Sequence, residues 1–250
     1  MVRVGVLSAA FGAVVVLAAP VQAGDSTNWT GFYAGAHGGY VTGDVSVKDI
    51  DGGVAPGPFD YSADGAFGGG TAGINWQISS LVLGLEGDLG YMDLSGSKII
   101  GASGGSPHHQ DLTLDGGLYA VAAGRAGIAF GSTLIYGKGG YAYYDGEAQQ
   151  ATTKTYYTPT ATDAFTGWAY GGGIEQALGG GWSLKAEYLR FDLDMQEGMQ
   201  EKTALAPAGV VDDGTLVGAK FHNEHTLDGV DTFKLGINYK FGARETVPLK

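Results

Sequence analysis

The chain contains no cysteine, which excludes a disulfide framework, a thiolate metal site and thiol redox chemistry. Charge is scarce as well. Charged residues make up 16% of the sequence, against roughly 25% in a typical soluble domain. Basic residues are the scarcest part, 14 Lys and Arg against 26 Asp and Glu, and no Lys/Arg-rich stretch offers a surface for nucleic acid. Beyond residue 24 no apolar run approaches the ~20 residues that a membrane helix needs. What is abundant is glycine, tyrosine and phenylalanine, at 46, 14 and 10 residues, with four Trp. At 44% hydrophobic the chain is too apolar for disorder. This mixture points to strands, and to strands that meet lipid.

The N-terminus reads as an export signal. Arg3 supplies a positive start, Val4 to Ala19 form an apolar stretch, and Val21-Gln22-Ala23 is a small-x-small cleavage pattern. Residues 1–23 are therefore expected to be removed. That leaves one barrel domain over 24–241 and a short periplasmic tail over 242–250. An exported chain without cysteine or a helical anchor fits a bacterial envelope. The Asn28-Trp29-Thr30 sequon is then a chance match.

Eight segments alternate apolar and polar residues with period two. The first, about Thr30 to Val41, aligns Phe32, Ala34, Ala36, Gly38 and Tyr40, with His37 on the other face. The second, Ala66 to Ile78, aligns Ala72, Ile74 and Trp76. In the third, Leu81 to Tyr91, Leu81, Leu83, Leu85, Leu89 and Tyr91 oppose Glu86 and Asp88. The fourth, Leu118 to Phe130, sets Ile128 and Phe130 against Arg125, and the fifth, Thr133 to Tyr144, sets Ile135, Tyr141 and Tyr143 against Lys138. The sixth, Phe165 to Leu178, opposes Trp168, Tyr170 and Ile174 to Glu175. The seventh, Trp182 to Phe191, opposes Trp182, Leu184 and Tyr188 to Lys185 and Glu187. The eighth, Asp231 to Phe241, opposes Phe233, Leu235, Ile237, Tyr239 and Phe241 to Lys234, Asn238 and Lys240.

Short and long connections alternate. Ser79-Ser80, Gly131-Ser132 and Gly179-Gly180-Gly181 are short, whereas 42–65, 92–116, 145–164 and 192–229 are long. This pattern predicts an all-β fold: an eight-stranded antiparallel up-and-down transmembrane barrel with short periplasmic turns and four long extracellular loops. A soluble sandwich would also alternate, but it seldom segregates its long loops to one end. A lipocalin-like barrel would place the apolar face inside. The aromatic residues Phe32, Tyr40, Trp76, Tyr91, Phe130, Trp168, Trp182, Tyr188, Tyr239 and Phe241 are candidate interfacial girdles. Glu86, Asp88, Glu175 and Glu187 balance Arg125, Lys138, Lys185 and Lys234 on the inward face. Such a neutral set reads as a salt-bridged plug, because an unpaired charge inside a narrow barrel costs several kcal/mol. The net negative charge falls in the long loops, through positions such as Asp44, Asp49, Asp51, Asp192, Asp194, Asp212 and Asp213.

Several motifs carry a resemblance. Trp29-Thr30-Gly31-Phe32-Tyr33-Ala34-Gly35, Asn75-Trp76-Gln77, Gly167-Trp168 through Glu175, Trp182 through Leu189, and Leu235 through Phe241 resemble blocks of the alphaproteobacterial small outer-membrane β-barrel surface proteins. These are the porin-family or outer-membrane immunogenic type, in the OmpA-like membrane-barrel group. The resemblance implies an integral outer-membrane protein, often a surface antigen, with porin-like, envelope-stabilising or host-contact roles. One departure is that this chain continues past Phe241, where the family usually ends.

Candidate chemistry is sparse. His37 reads as a hydrogen-bonding histidine of the interior. His108-His109 and His222-x-x-His225 read as loop histidines whose spacing matches no zinc motif. The acidic loop residues match no EF-hand spacing. They could bridge divalent cations to lipopolysaccharide, or simply keep the surface soluble. Gly68-Gly69-Gly70 and Gly171-Gly172-Gly173 are followed by no Lys-Ser/Thr and are not phosphate loops. No cofactor, catalytic residue or metal site is expected. The expected role is structural or porin-like, with outer-membrane lipid, lipopolysaccharide and the barrel-assembly machinery as partners. If the interior conducts, its acidic mouth would favour cations. The alternative is a surface binding protein or adhesin whose loops meet a host molecule or haem.

Overall fold

Strands account for nearly all of the residues that the computed structural model describes, which are 27–49, 58–101, 109–152, 160–161, 164–194, 196–201, 217–218 and 220–242. The expected export signal, Asp51, His108, Asp212, Asp213 and the tail beyond Gly242 lie outside them. In chain order the strands are β1 (Gly31–Asp49), β2 (Pro58–Ile78), β3 (Leu81–Met92), β4 (Gly96–Gly101), β5 (His109–Phe130), β6 (Thr133–Thr152), β7 (Thr160–Ala161), β8 (Phe165–Gly179), β9 (Trp182–Leu193), β10 (Gln196–Glu201) and β11 (Lys220–Lys240). Among the described residues no helix is long and apolar enough to cross a membrane.

Eight strands close a barrel. β1 pairs β2, and the ladder then runs through β3, β5, β6, β8, β9 and β11 before β11 returns to β1, every pairing antiparallel. Closure removes the free edges that an open sheet would expose. Tight turns join the strands at one end, at Ser79-Ser80, Gly131-Ser132 and Gly180-Gly181, with Gly179 already in β8. Ser79 and Gly131 adopt φ of 58° and 60°, the left-handed geometry that two-residue hairpin turns demand.

At the other end the expected long loops are mostly ladder. β1, β2, β5, β6 and β11 run to 19, 21, 22, 20 and 21 residues, about twice the 9–11 that cross a bilayer. Asp44 and Asp49 therefore sit in β1 and Asp192 in β9, while Asp194 follows β9 directly. His109 lies in β5, and His222 and His225 lie in β11, opposite Met199 and Gln196 of β10. The short strands β4, β7 and β10 extend the wall beside β5, β6 and β11.

The reason is a reversal of phase. In the membrane half, β1 turns Phe32 and Tyr40 outward, but Val41, Val45 and Val47 above them are buried inside. β9 behaves alike: Leu184 and Tyr188 face out, then Leu189, Phe191 and Leu193 face in. Register shifts at Thr42/Asp44 and Asp115/Leu118 mark the change in two ladders. Lipid sets the rule below the reversal and water sets it above, so the outer half is apolar inside and polar outside.

Candidate functional site

Three tiers of side chains fill the interior. At the tight-turn end Trp29 packs against Val82, Leu134 and Tyr136, with Ala129 and Ala177 beside them. The Trp29 backbone N–H donates to Gln77 Oε1 at 2.7 Å, which holds the segment leading into β1 across the mouth.

The middle tier is charged. Tilted strands bring Glu86 and Asp88 (β3), Arg125 (β5), Lys138 (β6), Glu175 (β8), Lys185 and Glu187 (β9) and Lys234 (β11) together, all of them buried. Arg125 bridges two carboxylates, Nη1 to Glu86 Oε2 at 2.9 Å and Nη2 to Glu175 Oε2 at 2.8 Å. Lys138 Nζ reaches Glu86 Oε1 at 2.6 Å and Glu187 Oε1 at 3.4 Å, and also pairs with Asp88. Lys185 joins Glu86 at 3.0 Å and Glu187 at 3.9 Å. Lys234 reaches Asp88 at 3.1 Å and pairs with Glu187. The four acids and four bases thus form one connected network.

Neutral groups supply further bonds. The Tyr33 hydroxyl donates to Glu86 at 2.6 Å, and that of Tyr136 donates to Glu187 at 2.7 Å. Ser183 and Asn238 donate to Glu175 Oε1 at 2.6 and 2.9 Å. The Arg125 guanidinium lies 4.2 Å from the Tyr136 ring centroid, a cation–π contact. Glu86, Asp88 and Glu187 converge closely enough to hold a metal ion, but the lysine ammonium groups already lie among their oxygens.

The third tier is apolar. Val41, Val45, Tyr61, Phe67, Leu94, Leu114, Tyr119, Tyr144, Phe165, Phe191 and Leu227 belong to one buried cluster in the outer half. Inward glycines make room for its large rings. A Cβ at Gly39 would meet the Phe67 ring at 2.8 Å, and one at Gly90 would meet the Tyr119 ring at 2.8 Å. Gly73 and Gly173 do the same in the charged tier for Tyr33 and Tyr136. Sequence reasoning missed this tier, and it missed Trp29, Tyr33 and Tyr136 as interior groups. The signal was present in the inward phase of Tyr33 and Tyr136, each opposite glycine.

On the outer surface all ten girdle candidates (Phe32, Tyr40, Trp76, Tyr91, Phe130, Trp168, Trp182, Tyr188, Tyr239 and Phe241) are exposed. Where the wall leaves the apolar band, outward phenols pair with carboxylates. Tyr40 donates to Asp64 at 2.8 Å, Tyr170 to Asp192 at 2.9 Å and Tyr188 to Asp231 at 2.6 Å. Arg190 lies 3.3 Å from Asp231 and 3.6 Å from Asp192. Asp44 is exposed just above and accepts from Ser62 at 3.0 Å. A ring plane in lipid with its hydroxyl at the headgroup level is the ordinary use of an interfacial tyrosine.

The family model for the outer membrane protein beta-barrel domain matches residues 11–241. A 31 kDa outer-membrane immunogenic protein of Brucella melitensis is 32% identical over 240 residues, covering 90% of this chain and 87% of that protein. A 22 kDa outer membrane protein of Rhizobium leguminosarum bv. viciae is 29% identical over 179 residues, 72% of this chain and 70% of the relative. Among solved structures, the outer membrane protein OprG from Pseudomonas aeruginosa shares the fold at a TM-score of 0.52. It is 14% identical, and the match covers 88% of this chain and 100% of that one.

Proposed function

The chain belongs to the outer membrane protein beta-barrel domain family and is an outer-membrane β-barrel protein, and from that premise we propose a structural role: a closed barrel that stabilises the envelope and carries a polar, acidic wall above it. The observation that carries this reading is the filled interior. A charge-neutral network lies between the Trp29 cap and a large apolar cluster, and an eight-stranded barrel is just wide enough for side chains to fill it. Ions crossing it would have to displace all three tiers. Its proposed partners are outer-membrane lipid and lipopolysaccharide around the tyrosine–carboxylate belt, and the barrel-assembly machinery during insertion.

The test is planar-bilayer conductance of the refolded barrel at neutral pH under a salt gradient. Silence from a folded barrel is the expected result. Reproducible cation-selective steps would overturn the closed reading in favour of a narrow pore.

A second reading, a surface binding protein, draws support from the length of the ladders, which run to about twice what a bilayer crossing needs. Deleting residues 202–216 would then abolish binding of a host molecule or haem while the barrel still folds. Retained binding in the deletion variant would place the binding surface elsewhere, and no binding by the intact barrel would remove this reading.

A further inference from the structure

One buried group in the middle of β1 takes no part in the balanced ion pairs. His37 sits where the charged tier meets the apolar tier, with Phe67 and Tyr119 on its outer side at ring-centroid distances of 6.2 Å each. Its Nδ1 lies 2.9 Å from Thr71 Oγ1, Thr71 in turn donates to Asp88 Oδ1, and its Nε2 pairs with the Tyr119 hydroxyl.

The direction of this chain is fixed from one end. Asp88 is a carboxylate and only accepts, so Thr71 gives it the hydroxyl proton and must accept from His37 Nδ1–H. Nε2 is then bare, and Tyr119 donates to it. The arrangement fits a neutral ring with its proton on Nδ1 and leaves no lone pair for another. The surroundings agree. Facing His37 are Asp88 from β3, Tyr119 from β5, Lys138 from β6, Lys185 from β9 and Lys234 from β11, with Thr71 from β2. Glu86 and Glu187 face the same lysines and are already bonded to them.

We infer that His37 is an acid-sensitive latch that joins the apolar plug to the charged tier and releases it when the ring takes up a proton. The proton comes from the medium and binds Nε2, so the Tyr119 hydroxyl must turn from donor to acceptor. The imidazolium becomes a fifth cation among four carboxylates that are already paired. Its nearest carboxylate oxygen, Asp88 Oδ1, is 3.8 Å from Nδ1, and that carboxylate already pairs with Lys138 and Lys234. Either an ammonium group is displaced or the ring moves. Displacing an ammonium group opens the charged tier, and moving the ring parts β1 from the Phe67–Tyr119 edge contact, where the ring centroids are 5.9 Å apart; either loosens the filled interior. The latch rests on the closed-interior reading.

The test compares single-channel traces of the refolded wild type, His37→Gln and Tyr119→Phe at neutral pH and down to about pH 3, several units below the ordinary imidazole value of about 6.5. The wild type is silent at neutral pH and opens in acid, whereas His37→Gln stays silent at both. Tyr119→Phe removes only the Nε2 partner, so its opening midpoint moves toward neutrality by about one pH unit, a tenfold change in proton affinity. Imidazole nitrogen NMR of the wild type shows the Nδ1–H tautomer at neutral pH and titrates with the same midpoint as the opening. Equal acid opening in wild type and His37→Gln overturns the latch, as does a ring already charged at neutral pH or an unmoved Tyr119→Phe midpoint. Silence of the wild type in acid overturns the latch alone. Steps at neutral pH overturn the closed-interior reading with it.

Discussion

Replacing Lys138 with methionine removes the ammonium group that touches three carboxylates at once. Lys138 Nζ bonds Glu86 at 2.6 Å, reaches Glu187 at 3.4 Å and pairs with Asp88, and its side chain has no solvent exposure. Lys138→Met leaves Glu86, Asp88 and Glu187 sharing Lys185, Lys234 and one arm of Arg125, with one negative charge unmatched. Removing one partner of a buried pair costs about 3–5 kcal/mol. Asp88→Asn alone creates the opposite imbalance, at a similar or smaller cost because Thr71 still has an oxygen to donate to. The double variant restores three acids to three bases and keeps the Arg125–Glu86, Arg125–Glu175 and Lys234–Glu187 contacts. It should therefore be more stable than the sum of the singles predicts, by about 2 kcal/mol or more. Urea unfolding in lipid vesicles, followed by tryptophan fluorescence and by gel mobility of unheated samples, measures all four proteins. Single losses under about 1 kcal/mol, or strict additivity, would mean that water already screens these charges and that the interior is wet. That result would refute the reasoning.

Four further outcomes follow from the same geometry. In single-tryptophan variants, Trp76, Trp168 and Trp182 should be quenched by brominated acyl chains, whereas Trp29, buried inside the mouth, should not. Trp29→Ala should cost about 3 kcal/mol or more, as large-to-small changes at a packed site do, and equal quenching of all four would contradict the cap. Gly39→Ala places a methyl group 2.0 Å from the Phe233 carbonyl oxygen and 2.8 Å from the Phe67 ring, so refolding yield and urea midpoint should fall by the equivalent of about 1–3 kcal/mol. Gly124→Ala meets nothing within 4 Å and should stay within about 0.5 kcal/mol of wild type.

The membrane half of the fold was legible because lipid imposes a single rule on every strand. Leu81 to Tyr91 alternates without interruption, and the same is true of Phe233 to Phe241, so these positions read directly as outside or inside. The inward charges were legible for the same reason. They interrupt an otherwise apolar alternation, and their signs cancel. The outer half was not legible because its phase is reversed. Val41 follows Tyr40 and Leu189 follows Tyr188, so two apolar residues in succession end one pattern as the opposite one begins, and the strand reads as a loop. Bulges at Thr42/Asp44 and Asp115/Leu118 hide the continuation further. Long-range partners were hidden by register. Tyr119 lies 82 positions from His37, and Arg125 lies 92 from Tyr33, and only the tilt of the closed barrel brings each pair to one level. The abundance of glycine in the strands was visible in the sequence. Its specific use, opening space for an inward ring on a neighbouring strand, needed the pairings.

A barrel whose lower half obeys lipid and whose upper half obeys water has its interior sealed twice, by neutralised charge and then by apolar packing. That double seal is the central claim. Since the native chain has no cysteine, single substitutions report on it cleanly. The decisive measurement is the rate at which a charged, membrane-impermeant thiol reagent labels Val41→Cys and Asp44→Cys in the folded barrel at neutral pH. Val41 is fully buried inside the outer tier, and Asp44, three residues further along the same strand, is exposed outside. Rapid labelling of Asp44→Cys with Val41→Cys left unmodified until the barrel is unfolded is the result expected of a sealed interior. Comparable rates at the two positions would show water reaching the plug and would contradict the account.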